Sequence, residues 1–141
     1  MLDIRQKTLD NRQKTLDLSR DMHNLQEIKV WNKAIELSAT VYKLVADFPS
    51  DERYGLSSQI KRYVVSIASN IAEGAGRNSD QEFVHFLGIA NGSAYELQTQ
   101  VIIASRLSLL TNETSDTLCS QIVEIQKMIF GFKQKLKNGV K

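Results

Sequence analysis

The chain contains little proline, glycine, cysteine or aromatic side chain. Among its 141 residues are one proline, seven glycines and one cysteine, and 7% are aromatic. A single proline leaves room for long uninterrupted helices. One cysteine, Cys119, excludes an intramolecular disulfide framework and a cysteine-cluster zinc site, which fits a reducing cytoplasm. The few aromatic residues fall mostly on predicted helix seams, which argues against base stacking of the single-strand-binding kind.

Long apolar runs are also missing. No run approaches the roughly 18 residues of a membrane span, and the N-terminus lacks the apolar core of a signal peptide. We therefore expect a soluble, cytoplasmic protein without a membrane partner. With 42% hydrophobic and 24% charged residues the composition is that of one globular domain, and the net charge of +2 is too small to indicate nucleic-acid binding without a favourable distribution.

Residues 1–21 differ from the rest of the chain. The hexapeptide RQKTLD occurs at Arg5–Asp10 and again at Arg12–Asp17, and the repeat spaces three leucines one heptad apart. The companion heptad positions are polar, so a frayed helical extension is favoured over a working coiled coil. Met22 is an alternative translation start. The predicted organisation is an extension over 1–21 followed by a bundle over 22–141.

Four stretches show the three- and four-residue apolar spacing that is typical of amphipathic helices. The first is predicted over about 25–47, with the inward residues Ile28, Trp31, Ile35, Ser38, Val41 and Val45. The second is predicted over about 56–72, with the inward residues Leu56, Ile60, Tyr63, Ile67 and Ile71. A second row on that helix, formed by Val65, Ser69 and Ala72, favours close approach of another helix.

The third helix is predicted to begin at a capping box, in which the Ser79 oxygen accepts the Glu82 amide and the glutamate reaches back to the serine amide. It continues to about Leu110, with the seam Phe83, Leu87, Ala90, Ala94, Leu97, Val101 and Ala104. Gly88 and Gly92 inside it indicate close backbone contact. After a polar loop, Thr111–Ser115, the fourth helix has the seam Leu118, Ile122, Ile125, Ile129, Phe132 and Leu136. The pattern predicts an all-α, antiparallel up-down four-helix bundle.

No catalytic or metal-binding set can be assembled from the sequence. Only two histidines are present, and Glu82 with His85 forms a single Glu-x-x-His pair where a di-iron bundle needs two. The glycines at Gly74 and Gly76 are explained as a helix stop, although the amides that follow, with Arg77, could hold a phosphate oxygen. The chain is therefore expected to be a non-enzymatic protein without a cofactor or metal.

Four polar residues stand where a plain bundle would use apolar ones. They are Asn70, Glu73, Ser93 and Glu96. One interpretation is that they form ordinary solvated faces. The other is that they are buried or lie in a subunit interface, where polar groups fix the register of assembly.

The basic residues that we select as phosphate contacts are Lys29, Lys33, Lys61, Arg62 and Arg77. In one chain these residues are dispersed over the solvent-exposed surface and form only a weak positive patch. Repeated around a symmetric oligomer they become a multivalent positive surface, on which phosphate contacts give salt-dependent affinity with little sequence preference.

Several segments resemble the 23S rRNA intervening-sequence protein family, also called S23-like proteins. They are Lys29–Ala34, Phe48-Pro49, Glu52–Leu56, Gln59–Arg62, Phe86-Leu87, Gly92-Ser93, Glu96-Leu97 and, most specifically, Ser69-Asn70-Ile71-Ala72-Glu73-Gly74. Ala68 stands where the family commonly has proline. The family is often encoded within insertions in bacterial 23S rRNA genes.

The family is similar to the accessory protein of diversity-generating retroelements, a pentameric ring whose basic surface engages nucleic acid and a reverse transcriptase. The resemblance therefore implies a homo-oligomer, preferably a pentamer, that binds RNA or DNA. The alternative is a protein-interaction scaffold, such as an accessory subunit for a reverse transcriptase, without a nucleic-acid function of its own.

Overall fold

A computed structural model of the chain describes residues 23–52 and 55–139, and every regular element within those ranges is helical. The long helices are α1 (Lys29–Val45), α2 (Leu56–Ala75), α3 (Asp80–Arg106) and α4 (Asn112–Lys137). Short 3-10 turns lie at Leu25–Glu27 and Ser50–Glu52. The predicted extension over 1–21, with its RQKTLD repeat, lies outside the described residues.

The four helices form an antiparallel up-down bundle. Each packs against the next helix in the chain, and α1 also contacts α4, which closes the bundle. Short connections between long helices produce this arrangement because a helix has to fold back at once to bury its apolar stripe. The predicted fold class is thus confirmed. No helix in the described part of the chain is long and apolar enough to cross a membrane.

The predicted seams of α3 and α4 agree with the core. All seven seam residues of α3 are buried, and on α4 all are buried except Phe132, which is half-buried. The predicted seam of α1 was wrong at Ile35, which is 44% exposed, whereas Ile28 and Trp31 are partly buried against the core. The fully buried residues of the helix are Val30, Ala34, Leu37, Val41 and Val45. Both rows have helical spacing, and packing against α2 and α4 selects one of them.

The second row predicted on α2 was also wrong by one position. Val65 is 40% exposed and Ser69 is exposed, whereas Val64 and Ala68 are buried. The Val64 carbonyl accepts a hydrogen bond from Ser38 Oγ of α1 at 3.2 Å, so this side of α2 is the one that meets its neighbour. The small-residue row is therefore real, but Ala68 rather than Ser69 belongs to it.

Five predicted boundaries change, and two of them are the ends of α1 and α2, which lie at Val45 and Ala75 rather than near residues 47 and 72. The helix α1 begins at Lys29, because Ile28 has extended dihedral angles after the 3-10 turn. The helix α3 ends at Arg106, about one turn before the predicted end near Leu110. The predicted loop at Thr111–Ser115 is helical from Asn112, since Thr111 caps α4 by accepting the Thr114 amide at 3.0 Å. A Thr-x-x-Thr cap was present in the sequence and was missed.

The turn between α2 and α3 follows the predicted cap in part. Ser79 Oγ accepts the Glu82 amide at 3.1 Å, as expected, but Glu82 Oε1 accepts the amide of Asn78 rather than that of Ser79. Gly76 has ordinary right-handed angles, φ −86° and ψ 0°, so it does not need the conformational freedom of glycine. Gly74 lies inside α2, where its role is close packing against α3.

The two glycines inside α3 do not mark a close backbone contact, so that prediction was wrong. A Cβ added at Gly92 would meet no atom within 4 Å, and one added at Gly88 would meet only Lys133 Nζ, at 3.6 Å. Within one chain these positions are open to larger side chains. The close approach is instead at Gly74, where two phenylalanines of α3 lie against the backbone.

Candidate assembly and nucleic-acid surfaces

Two of the four selected polar residues belong to a hydrogen-bond network between α2 and α3. Ser66 Oγ lies 2.7 Å from Ser93 Oγ, and Asn70 Nδ2 donates to the carbonyl oxygen and the hydroxyl of Ser66 at 2.9 and 3.0 Å. Ser93 is buried and Asn70 half-buried. Both are therefore satisfied within one chain. Ser66, four residues before Asn70 on the same helix face, was not selected from the sequence.

The other two selected polar residues are exposed. Glu73 Oε2 lies 3.1 Å from Arg77 Nη2 at a four-residue step, an ion pair that stabilises a helix by only about 0.3–0.5 kcal/mol at an exposed site. Glu96 lies on the surface of α3 seven residues after Ile89 and seven before Ile103. The helical repeat therefore places all three on one edge of α3.

The outer face of α3 carries several large apolar side chains among polar ones such as Glu96 and Thr99. The exposed apolar side chains are Ile89, Tyr95, Ile102 and Ile103, at 41%, 56%, 40% and 43% exposure, and Leu107 follows directly after the helix. Because the inner face of α3 is also apolar, the outer face of this helix is less polar than that of a typical surface helix. Sequence reasoning gave weight to the inner seam and missed this surface.

The five selected basic residues do not converge. Lys29 begins α1 while Lys61 and Arg62 lie near the start of α2, and antiparallel neighbours start at opposite ends of the bundle. Arg77 lies in the turn between α2 and α3, at the same end as Lys29. The selected cations, all of them within the described residues, therefore form two separate basic regions rather than a single patch.

Several of these cations already have neighbours. Lys33 Nζ lies 3.5 Å from Glu124 Oε1, and the Arg77 guanidinium, which pairs with a carboxylate, also lies 4.8 Å from the ring centroid of Phe86. Lys61 Nζ lies 5.4 Å from the Tyr42 ring centroid and the Arg62 guanidinium 5.7 Å from that of Tyr63. Aromatic faces orient these side chains without neutralising them, so the last two keep their full charge for an anion.

A groove of about 630 Å³ opens between the start of α1 and the last turns of α4, and we call it the end groove. Its lining includes Lys29 from α1 and Lys135 from α4, together with His23, Glu27, Met128, Gly131 and Phe132. Lys135 was not among the selected residues. The signal for it was a lysine-rich run without acidic residues after Glu124.

The remaining candidate chemistry is sparse. Among the described residues, no group of three or more His, Cys, Asp or Glu side chains is arranged to hold a metal ion. His85 is exposed and lies edge-on to Phe86, with 5.0 Å between ring centroids.

The thiol of Cys119 is half-buried. Burial raises its pKa, the Ser115 hydrogen bond opposes that change, and the charge of Asp116 adds to it. Because the thiolate is the reactive form, we expect iodoacetamide at pH 8 to alkylate the folded protein several-fold more slowly than the chain in denaturant. The rate should keep rising above pH 9. Equal rates in the folded and denatured states would contradict this expectation.

Comparison with known proteins agrees with this architecture. Residues 26–131 match the family model described as 23S rRNA-intervening sequence protein. A solved structure from Bacteroides thetaiotaomicron, described as a protein with unknown function from the S23 ribosomal protein family, is 25% identical with a TM-score of 0.68. The match covers 74% of this chain and 95% of that one. No curated protein matches the chain.

Proposed function

The chain belongs to the 23S rRNA-intervening sequence protein family, and we propose that it is a non-enzymatic, self-assembling bundle that binds the backbone of RNA or DNA. The observation that carries the assembly is the apolar outer face of α3. Assembly in turn makes nucleic-acid binding effective, because it repeats two modest basic regions around one particle. A homo-pentamer is the preferred assembly.

The outer face of α3 supports self-association on physical grounds. Soluble monomers seldom leave a contiguous apolar surface of several large side chains in water, and such surfaces usually mark interaction sites. Burying a fully exposed side chain of this kind contributes roughly 1.5–3 kcal/mol, and since about half of each is exposed here, covering the rest contributes roughly 1 kcal/mol. Glu96 lies on the same edge as Ile89 and Ile103, so an interface there would also include one of the selected polar residues.

The charges support backbone binding rather than base reading. The most available cations are Lys29 and Arg62, which are exposed, and Lys61, which lies over an aromatic ring. Lys33 and Arg77 already face carboxylates and are expected to contribute less. Point charges on separate regions recognise phosphates, and each phosphate contact gives affinity that falls as salt rises.

The proposal is tested by measuring mass and bound nucleic acid together. Size exclusion coupled to light scattering, with and without nuclease treatment of the lysate, is expected to give a pentamer whose mass survives the nuclease. The untreated sample should carry RNA, seen as excess absorbance at 260 nm. A monomer at micromolar concentration that carries no nucleic acid would contradict both parts of the proposal.

The phosphate contacts are tested by neutralising Lys61 and Arg62 together with glutamine. We expect weaker binding of a short duplex, and a slope of log affinity against log salt that is smaller by about 2 for each protomer that touches it. Because neither side chain is in the core, the thermal midpoint should change little.

The matched control replaces Lys43 and Lys127 with glutamine, which changes the net charge equally at two exposed positions outside α3. It should leave the salt slope close to that of the unchanged protein. If the control and the Lys61/Arg62 variant change the slope equally, the assignment of those two side chains is wrong.

A protein-interaction scaffold remains the second candidate, because the outer face of α3 would also fit a different protein. Two observations separate the candidates. An oligomer that binds neither RNA nor DNA at low salt, encoded beside a reverse transcriptase gene, would favour the scaffold. A gene within a 23S rRNA insertion and salt-dependent binding would favour the nucleic-acid function.

A further inference from the structure

The end groove has the size and composition of a ligand site. Its volume of about 630 Å³ lies in the range of roughly 300–1,000 Å³ that small-molecule sites occupy. One wall is the start of α1, with Lys29 and the preceding Ile28, and the other is the last three turns of α4, with Met128, Phe132 and Lys135. Each wall therefore contributes a cation and at least one apolar side chain.

The aromatic side chain that lines the groove, Phe132, is held in place by its contact with the core. The Phe132 ring makes an edge contact with the fully buried ring of Phe83, at 5.1 Å between centroids and 72° between planes. The same Phe83 ring contacts His23, another residue that lines the groove, at 4.9 Å. Phe132 is half-buried, so one part of its ring packs on the core while the rest borders the groove. A ring fixed in this way can stack on a ligand with little further loss of entropy.

Open space on the α4 wall is marked by Gly131. A Cβ added there would meet no atom within 4 Å, and the residue is exposed and lines the groove. A side chain added at this position therefore meets no obstacle in the bundle and lies at the wall of the groove.

We propose that the end groove holds one unpaired nucleotide of a single strand, with the base against Phe132 and Met128 and the phosphate between Lys29 and Lys135. Two cations match a phosphate, and an aromatic beside a flexible thioether matches the face of a base. A base inside a duplex is stacked and paired and cannot reach the groove, so single strands are selected over duplexes. The inference rests on the proposed nucleic-acid binding and narrows it to single strands. It also differs from the sequence-based expectation that no aromatic side chain is available for stacking.

Removing the negative charge of Glu27, the acidic residue of the groove, is expected to increase affinity for a single strand. Glu27 lines the groove and is exposed, and its charge opposes that of the two lysines. Replacing Glu27 with glutamine is therefore expected to strengthen binding of a single strand several-fold. Replacing Lys29 and Lys135 with glutamine is expected to weaken this binding about tenfold. The slope of log affinity against log salt should fall by the amount expected for about two lost phosphate contacts.

The experiment measures fluorescence anisotropy with three labelled probes of equal length: an eight-nucleotide single strand, the same strand as a duplex, and the same backbone without bases. The full chain should bind the single strand about tenfold more tightly than the base-free backbone, because stacking of one base has an effect of that order. Gly131→Gln, which places a long side chain on the α4 wall of the groove, should abolish this preference. Gly131→Ala is the control, because alanine has a helix propensity similar to that of glutamine but adds only a methyl group. It should keep the preference for the single strand over the base-free backbone.

The outcomes separate this inference from the function on which it rests. Equal affinity for all three probes in the unchanged protein would overturn the groove while leaving backbone binding intact. A base preference that survives in Gly131→Gln would overturn it as well, because the base would then lie elsewhere. A change of oligomer mass in Gly131→Gln without a change of affinity would assign the groove to a second copy of the chain and overturn the proposal. Binding of none of the probes at low salt would overturn both.

Discussion

Replacing Gly74 with alanine is expected to reduce the free energy of unfolding by about 2–3 kcal/mol, near the upper end for overpacking a single methyl group. The added Cβ would lie 2.7 Å from Cδ1 of Phe83 and 2.9 Å from Cβ of Phe86. The Phe83 carbonyl oxygen, at 3.2 Å, closes the third side. Phe83 is buried against the core and its backbone is part of α3, so neither can move away without separating α2 from α3.

Urea denaturation followed by circular dichroism measures this effect, at one protein concentration because assembly adds to apparent stability. Gly131→Ala is the matched control, since the same methyl group in α4 meets no atom within 4 Å. There the higher helix propensity of alanine is expected to raise stability by up to about 1 kcal/mol. A Gly74→Ala protein as stable as the unchanged one would show that α2 and α3 do not approach so closely.

If the protein self-associates as we propose, aspartate introduced at both Ile89 and Ile103 is expected to convert the oligomer into monomers. Both side chains are more than two-fifths exposed in the isolated chain, so the bundle should still fold with a similar helix content. In an interface each would be desolvated, and removing such a contact costs about 2 kcal/mol or more. Two such losses raise the dissociation constant about a thousandfold.

Light scattering over a concentration series checks this result. The matched control introduces aspartate at Ile35 of α1 and Phe130 of α4, which are exposed to a comparable or greater degree but lie outside α3. That control should retain the oligomer. If the control dissociates and the Ile89/Ile103 variant does not, the interface lies on α1 and α4 instead.

The monomeric variant also connects assembly to binding. If affinity for nucleic acid depends on basic regions repeated around one particle, dissociation should lower the apparent affinity by about two orders of magnitude. The local affinity of each protomer should remain, and it would be visible only at low salt. An affinity unchanged by dissociation would mean that one chain carries the whole nucleic-acid site.

The features that the sequence was sufficient to establish are local ones. The seams of α3 and α4, the Ser79 cap and the helical fold class were all predicted correctly, because each depends on residue spacing within one segment. The Ser69–Gly74 run was equally sufficient to indicate the family, which the match over residues 26–131 bears out.

The features that required the assembled bundle are relations between helices. Rows on α1 that contain Ile35 or Leu37 have the same period, and contact with α2 and α4 decides which is buried. Gly74 looked like part of a helix stop until α3 was placed against it. Lys29 and Lys135 are more than a hundred residues apart in the chain and meet at one groove because α1 starts where α4 ends. Periodicity along one helix contains no information about the position of the next, so these contacts depend on tertiary packing.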